Sequence, residues 1–450
     1  MIYFDRATVS DDTLPKVLWD NLFDNGTITA STESSEGLAS NIINEGTNTY
    51  WQPTALPAWV ASTSASPYTT SSFAIVGHNL YTTSARVKLE YLGSSRTNLI
   101  LQSQTFDNAS WGTIRSSVTP NTATAPDGTL TADSMIEDTS VSLTHTINQT
   151  YAGFTSGVVY VFSVCAKTDV NSRNVNIGFP SAAFTTQVHT TFDLTSGTVA
   201  STTAGATNTI TYLGDGWYRC SVMATATTTA SGTPFIRMAN GTSTSYTGDG
   251  TTLIHLWGAQ LEVDTLTSYI PTTTVAASST YYDATNWIVP TDNTMILVEH
   301  GCVASSTEWR LRVSGVSSTM PYIGVFILGN PLTFPGGVMP PYTPIWQAQK
   351  VDLLVAKTLG GQFMGNRILR QGAETSISLV SFSKTFGEVD LQPFKEWYNA
   401  GHAFVWASGP SEFDKDVGYV WRKANAEMRP TFTETGSWIK VTMEVEGYVQ

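Results

Sequence analysis

Charge is scarce in this chain. Asp, Glu, Lys and Arg together make up 13% of its 450 residues, against the roughly one quarter common in globular domains. Surface helices normally carry Glu and Lys, so a chain that uses Ser, Thr, Asn and Gly instead is suited to strands joined by polar turns. Positive charge is scarcer still: 23 Lys and Arg face 36 Asp and Glu, a net charge of −13. No basic run exists, which argues against a nucleic-acid partner, because phosphate binding needs clustered Lys and Arg. Long apolar runs are missing too, so no membrane insertion is expected. The opening MIYFDRATVSDD has no apolar h-region, and no signal peptide is expected. The three cysteines, Cys165, Cys220 and Cys302, form no CxxC and no zinc spacing, so no metal site is assigned. Cys165 and Cys220 sit in apolar runs and read as core thiols, with a bridge open to them if their strands are neighbours.

Aromatic residues, at 11%, are plentiful enough for large cores, and the length suits two to four domains. Strand signals dominate: VVYVFSVCAK (158–167), RNVNIGF (173–179), HTTFDLTSGTV (189–199), ARVKLEYLG (85–93), MILVEHG (295–301), EWRLRVSG (308–315) and PYIGVFILGN (321–330). Each is bounded by Gly, Pro or polar turn residues, the pattern of all-β sandwiches. Two stretches have helical spacing. In 11–26, Leu14, Leu18 and Leu22 recur, though Pro15 and several Asp residues weigh against it. In 391–402, Leu391, Phe394, Trp397 and Tyr398 recur and Gly401 is placed to cap the end.

No GxSxG, HExxH or phosphate-loop pattern is present. Asp215 and Asp249 lie in LGDGW and TGDGT, where Asp-Gly reads as a tight turn. The six histidines show no paired spacing. No catalytic residue and no cofactor is assigned, and the chain is expected not to be an enzyme.

Four phrases between 98 and 272 carry more information: NLILQSQTFDNASWG (98–112), APDGTLTADSM (125–135), LGDGWYRCSVMATA (213–226) and IHLWGAQLEVDTLTSYIPT (254–272). In this order they resemble the carbohydrate-binding-like β-sandwich modules of bacteriophage head-spike, tail and baseplate proteins. The residues before them, with SFAIVGHNL (72–80) and ARVKLEYLG, resemble the start of a discoidin-like jelly roll, and PYIGVFILGN resembles one of its late strands. The implied fold class is all-β: a discontinuous jelly roll (1–95 and 273–350), a β-sandwich inserted at 96–272, and a C-terminal β-rich attachment domain (351–450) with one short helix. Insertion at a surface loop is tolerated when the ends lie close together.

Sugar sites combine an aromatic face with hydrogen-bonding side chains. Trp217 and Trp257 occupy framework positions in the resembled family and are expected in the core. Trp111, in a loop after DNAS, is expected at the surface. Arg173 and Asn176 on RNVNIGF are expected to face a ligand together. These three are the carbohydrate-binding candidates. The module holds six Lys or Arg against eleven Asp or Glu, which favours a neutral glycan over a polyanion. In the jelly roll, YWQPTALPAWV (50–60) offers Trp51 and Trp59 as rigid interface anchors.

The resemblance implies a structural virion component of a tailed bacteriophage, at the tail tip or baseplate, assembled in the host cytoplasm. Its implied partners are other virion proteins, copies of itself in a symmetric homo-oligomer, and a host-surface glycan for attachment. A purely architectural head-spike or neck decoration is the alternative.

Overall fold

In a computed structural model of the chain, residues 2–4, 13–169, 173–409, 415–432 and 439–448 are described. The all-β class expected from the sequence holds, with a short helix near the C-terminus. The chain forms two compact units: 84–289 with 313–316, and 1–83 with 290–312 and 317–450.

The unit built on 84–289 contains two six-stranded antiparallel sheets. One runs in the order Thr198–Thr202, Val188–Asp193, Asn174–Phe179, Phe235–Ala239, Thr146–Asn148, Gly112–Ile114. The other runs Thr207–Gly214, Trp217–Thr225, Val159–Thr168, Leu253–Val263, Ala132–Glu137, Ser116–Ala123. Alternation explains the packing. Tyr160, Phe162, Val164 and Ala166 of Val159–Thr168 enter one core with Val175, Ile177, Phe179, Phe192, Ile236 and Met238. Cys165, on the opposite face, joins a second small core with Ala125, Ala132, Trp217 and Trp257. A central strand covered on both faces reads as a nearly continuous apolar run rather than an alternating one. Trp217 and Trp257 are buried as expected, donating to Thr124 O at 3.0 Å and Thr131 Oγ1 at 3.1 Å.

The strands of Cys165 and Cys220 are indeed neighbours, but Val164 lies opposite Cys220 and Cys165 opposite Arg219. Directly opposed residues share a face, so the two thiols point to opposite sides and both are free. Burial pushes the Cys165 thiol up to about 12 and Cys220 well above its ordinary value.

The unit closes at a polar clasp. Asn98 is fully buried. Its Nδ2 donates to Ala259 O at 3.0 Å and Ile270 O at 2.8 Å, and its Oδ1 accepts from Ile100 N and Leu261 N, both at 3.1 Å. Around it, Ile270 N donates to Gln260 Oε1 at 2.7 Å, and Thr272 joins Ile100 O at 2.6 Å and Ser103 Oγ at 2.8 Å. Outside the clasp, Arg86–Asn98 and Ala277–Asp283 pair antiparallel, Asn98 opposite Ala277 and Glu90 opposite Asp283. Residues 84–95 and 273–289 lie in the same compact unit as the sandwich.

In the other unit, Ile2–Phe4, Ile296–Glu299, Ser72–His78 and Ile323–Gly329 form one sheet. A larger sheet contains Lys16–Leu18, Phe404–Ala407, Val417–Arg422, Ile439–Gly447, Phe363–Phe382 and Gln349–Lys357. The helix expected in 391–402 is present as Leu391–Ala400. Leu391, Phe394 and Tyr398 are buried, and Gly401 takes the left-handed conformation (φ 92°) that ends it. The helical reading of 11–26 is corrected: Lys16–Leu18 is a strand and Leu22–Asn25 a 3-10 turn, while residues 11 and 12 lie outside the described residues. Lys16–Leu18 pairs with Phe404–Ala407, and Lys16 Nζ meets both Glu299 carboxylate oxygens at 2.9 Å in a buried pair.

Two outcomes follow. Asn98→Ala would strand two carbonyls and two N–H groups, so its unfolding free energy should fall by about 3 kcal/mol or more; an unchanged urea midpoint would remove Asn98 from this role. Ellman's reagent should titrate Cys302, which is half-buried, in the native chain. Cys165 and Cys220 should react only after denaturation, and rapid native reaction at either would contradict the burial described.

Candidate functional site

The outer face of the first sheet of the sandwich gathers side chains with spare hydrogen-bonding capacity. Three adjacent strands supply it, and their register fixes who meets whom. Asn176 lies opposite Thr191 on one side and Arg237 on the other. One pair along, Gly178 lies between His189 and Phe235. The alternate residues of the same strands, Val175, Ile177, Phe192, Ile236 and Met238, fill the core, so period two forces the polar set outward.

Asn176 is fully buried. Its Nδ2 donates to His189 Nδ1 at 3.0 Å and Thr191 Oγ1 at 2.9 Å, whereas its Oδ1 has no protein partner. With Nδ1 accepting, the neutral ring carries its proton on Nε2. Burial, and secondarily the Arg237 charge, lowers the pKa of His189 below its ordinary value. The Arg237 guanidinium carbon lies 3.7 Å from the Phe235 ring centroid, and Nη1 donates to Gln187 Oε1 at 3.2 Å. Arg237 Nε is buried without a partner, and among the described residues no carboxylate pairs with this arginine. Burial alone pushes its pKa down to about 10. Phe235 is itself buried, so the group presented here is a planar cation lying on an aromatic ring.

Of the residues singled out in the sequence, only Asn176 belongs to this face. Arg173 does not accompany it. A separation of three in a period-two strand puts two residues on opposite sides, and the strand itself begins at Asn174. Arg173 is drawn instead to Glu137, with Nε at 3.0 Å and Nη2 at 2.8 Å from its two oxygens, over the Tyr246 ring. Glu137 also accepts from Tyr246 Oη at 2.6 Å and Asp249 N at 3.0 Å. All four acceptor positions of the Glu137 carboxylate are thereby filled.

The expected surface position of Trp111 is corrected: the ring is buried against Phe106 and donates to Gln102 O at 3.0 Å. Trp51 is also buried, bridged to Ile323 and donating to Thr32 O at 3.2 Å, so it cannot anchor an interface from this position. Trp59 remains half-buried, with the Arg310 guanidinium 5.9 Å from its ring centroid. Asp215 and Asp249 are turn residues as read. Asp215 has φ 52° between two left-handed glycines and meets Arg86 at 2.9 Å. Asp249 Oδ1 accepts from Thr251 N and Thr252 N, both at 2.7 Å. No cluster of three or more potential metal ligands occurs among the described residues.

The sequence reading missed His189, Phe235 and Arg237. Their signal was present in HTTFDL and FIRMA, where polar or aromatic residues alternate with core residues. Finding it required applying the same parity to three strands known to be adjacent.

No family model matches this chain, and no curated protein matches its sequence. Among solved structures it is similar to the enzymatically active domain of tailspike protein 4 from bacteriophage CBA120, at 11% identity and TM-score 0.24, covering 37% of this chain and 21% of that one. It is also similar to the CBM22-1–GH10 modules of Clostridium thermocellum endo-1,4-β-D-xylanase 10B, complexed with xylohexaose, at 14% identity and TM-score 0.23, covering 41% and 30%. The chain thus spans less than a third of either structure. These two structures are an enzymatically active domain and modules of a xylanase, and the expectation that this chain is not an enzyme is withdrawn.

Proposed function

We propose that this chain is a component of a tailed bacteriophage virion, at the tail tip or baseplate, whose sandwich unit binds a host-surface glycan. The face formed by Asn176, His189 and Arg237 is the observation that carries the reading. Arg237, half-buried and with no carboxylate partner among the described residues, suits a ligand rich in hydroxyl groups. A planar fork of donors can hold two neighbouring oxygens of a sugar ring. Weak single sites suffice where copies act together, since avidity of about 10²–10⁴ is available to linked sites.

The experiment is a glycan array probed with the full chain and with Arg237→Gln. Specific binding should appear with the native chain and weaken by about tenfold or more in the variant, a loss of ~1.4 kcal/mol. Binding should persist in Trp111→Phe, which keeps an aromatic ring in the core. Absence of any binding by the folded native chain would sink the glycan reading, and equal binding by Arg237→Gln would move the site elsewhere.

A further inference from the structure

The strand Gln349–Lys357 and the first part of Phe363–Phe382 form a β-ribbon unlike the rest of the molecule. Every residue of Gln349–Lys357 is exposed. Val351, Leu353, Leu354, Val355, Leu359, Phe363, Met364 and Ile368 all present apolar side chains to solvent. Gln349–Lys357 is also the terminal strand of its sheet, with a hydrogen-bonded neighbour on one side only among the described residues. A two-stranded ribbon with both faces in water is marginal by itself. A long, flat, apolar edge strand is a ready template for pairing with another chain.

The pattern of this strand says which chain. Its register to the neighbouring strand slips between Asp352 and Leu353 and between Ala356 and Lys357. In both places the neighbour supplies the extra residue, so Gln349–Lys357 alternates without interruption. Gln349, Val351, Leu353, Val355 and Lys357 share one face, and Lys350, Asp352, Leu354 and Ala356 the other. A two-fold axis perpendicular to the sheet keeps each face on its own side, so only residues of equal parity can meet. Centred on Leu353, such a pairing sets Leu353 against its own copy, Val351 against Val355, Asp352 against Leu354, Lys350 against Ala356 and Gln349 against Lys357. The apolar residues coincide and no like charges lie directly opposite. Centred one residue earlier, Asp352 would face itself, which directly opposed like charges disfavour.

We propose that Gln349–Lys357 pairs antiparallel with the same strand of a second copy of this chain, joining two ribbons into one four-stranded sheet about a two-fold axis at Leu353. The contact is isologous: the same patch serves both copies. Strand addition at a free edge supplies main-chain hydrogen bonds, while the alternate side chains set the register. The proposal is independent of the glycan-binding reading, which rests on residues of the other unit.

The test is the solution mass of the full chain by light scattering across a concentration series. The expected species has twice the chain mass of 48.6 kDa. Leu353→Lys sets two ammonium groups directly opposite each other and should weaken association by about tenfold or more. Because Leu353 is exposed, an unchanged thermal melt of the dilute variant would show the fold intact. Leu353→Cys should form an interchain disulfide on mild oxidation, since opposed residues lie about 4.5–5.5 Å apart. Leu354→Cys, facing Asp352 of the other copy, should not. A monomer at every concentration, a trimer, or a dimer insensitive to Leu353→Lys would each overturn the proposal.

Discussion

Closing a sandwich whose two ends must enter and leave at one place is the constraint on which the 84–289 unit depends, and Asn98 satisfies it. One amide, fully buried, spends both donors on carbonyls near the exit and both acceptor positions on N–H groups of entry and exit. An Asp there would place a carboxylate against two carbonyls, and a Leu would leave four backbone groups without partners. Gln260, Ser103 and Thr272 extend the same arrangement. The phrases NLILQSQTFDNASWG and IHLWGAQLEVDTLTSYIPT, far apart in the chain, are thus the two halves of one polar seam. A dense polar network of this kind is useful because it is saturated; a half-satisfied one would be worse than an apolar seam.

Local periodicity made much of the fold legible. The strands at 158–167, 295–301 and 321–330 and the helix ending at Gly401 follow from residues that are neighbours in sequence. What failed depended on partners that sequence does not reveal. Residues 14–22 have helical spacing, but Lys16–Leu18 completes a sheet beside Phe404–Ala407, almost four hundred residues away. Trp111 follows a polar tetrapeptide and reads as exposed. Two consecutive turns, Asn108 N to Thr105 O at 3.2 Å and Trp111 N to Asn108 O at 2.9 Å, fold the ring back onto Phe106. Trp51 is fixed by Ile323, which no reading of 50–60 could supply.

The candidate face was half legible. Asn176 was identified from its own strand, while Arg173 was attached to it by a parity error that the two-residue period itself corrects. Arg237 and His189 needed the strand order, because their meaning lies in the row Thr191–Asn176–Arg237 across three strands. Net charge was similarly misleading at this scale. The module is acidic overall, yet its polar sheet face holds a cation with no carboxylate partner among the described residues. The acidic groups are absorbed elsewhere, Glu137 by Arg173 and Asp249 by backbone amides.

The paired strands Arg86–Asn98 and Ala277–Asp283 run antiparallel, with Val87 bridged to Ile288 at their outer end. The chain therefore enters and leaves the sandwich side by side, with its two ends held one strand spacing apart by that ladder. Tyr91 stacks on Tyr282 at 5.5 Å across the same pair of strands. The spacing between the two ends is thereby set by backbone pairing and not by the side chains of the sandwich.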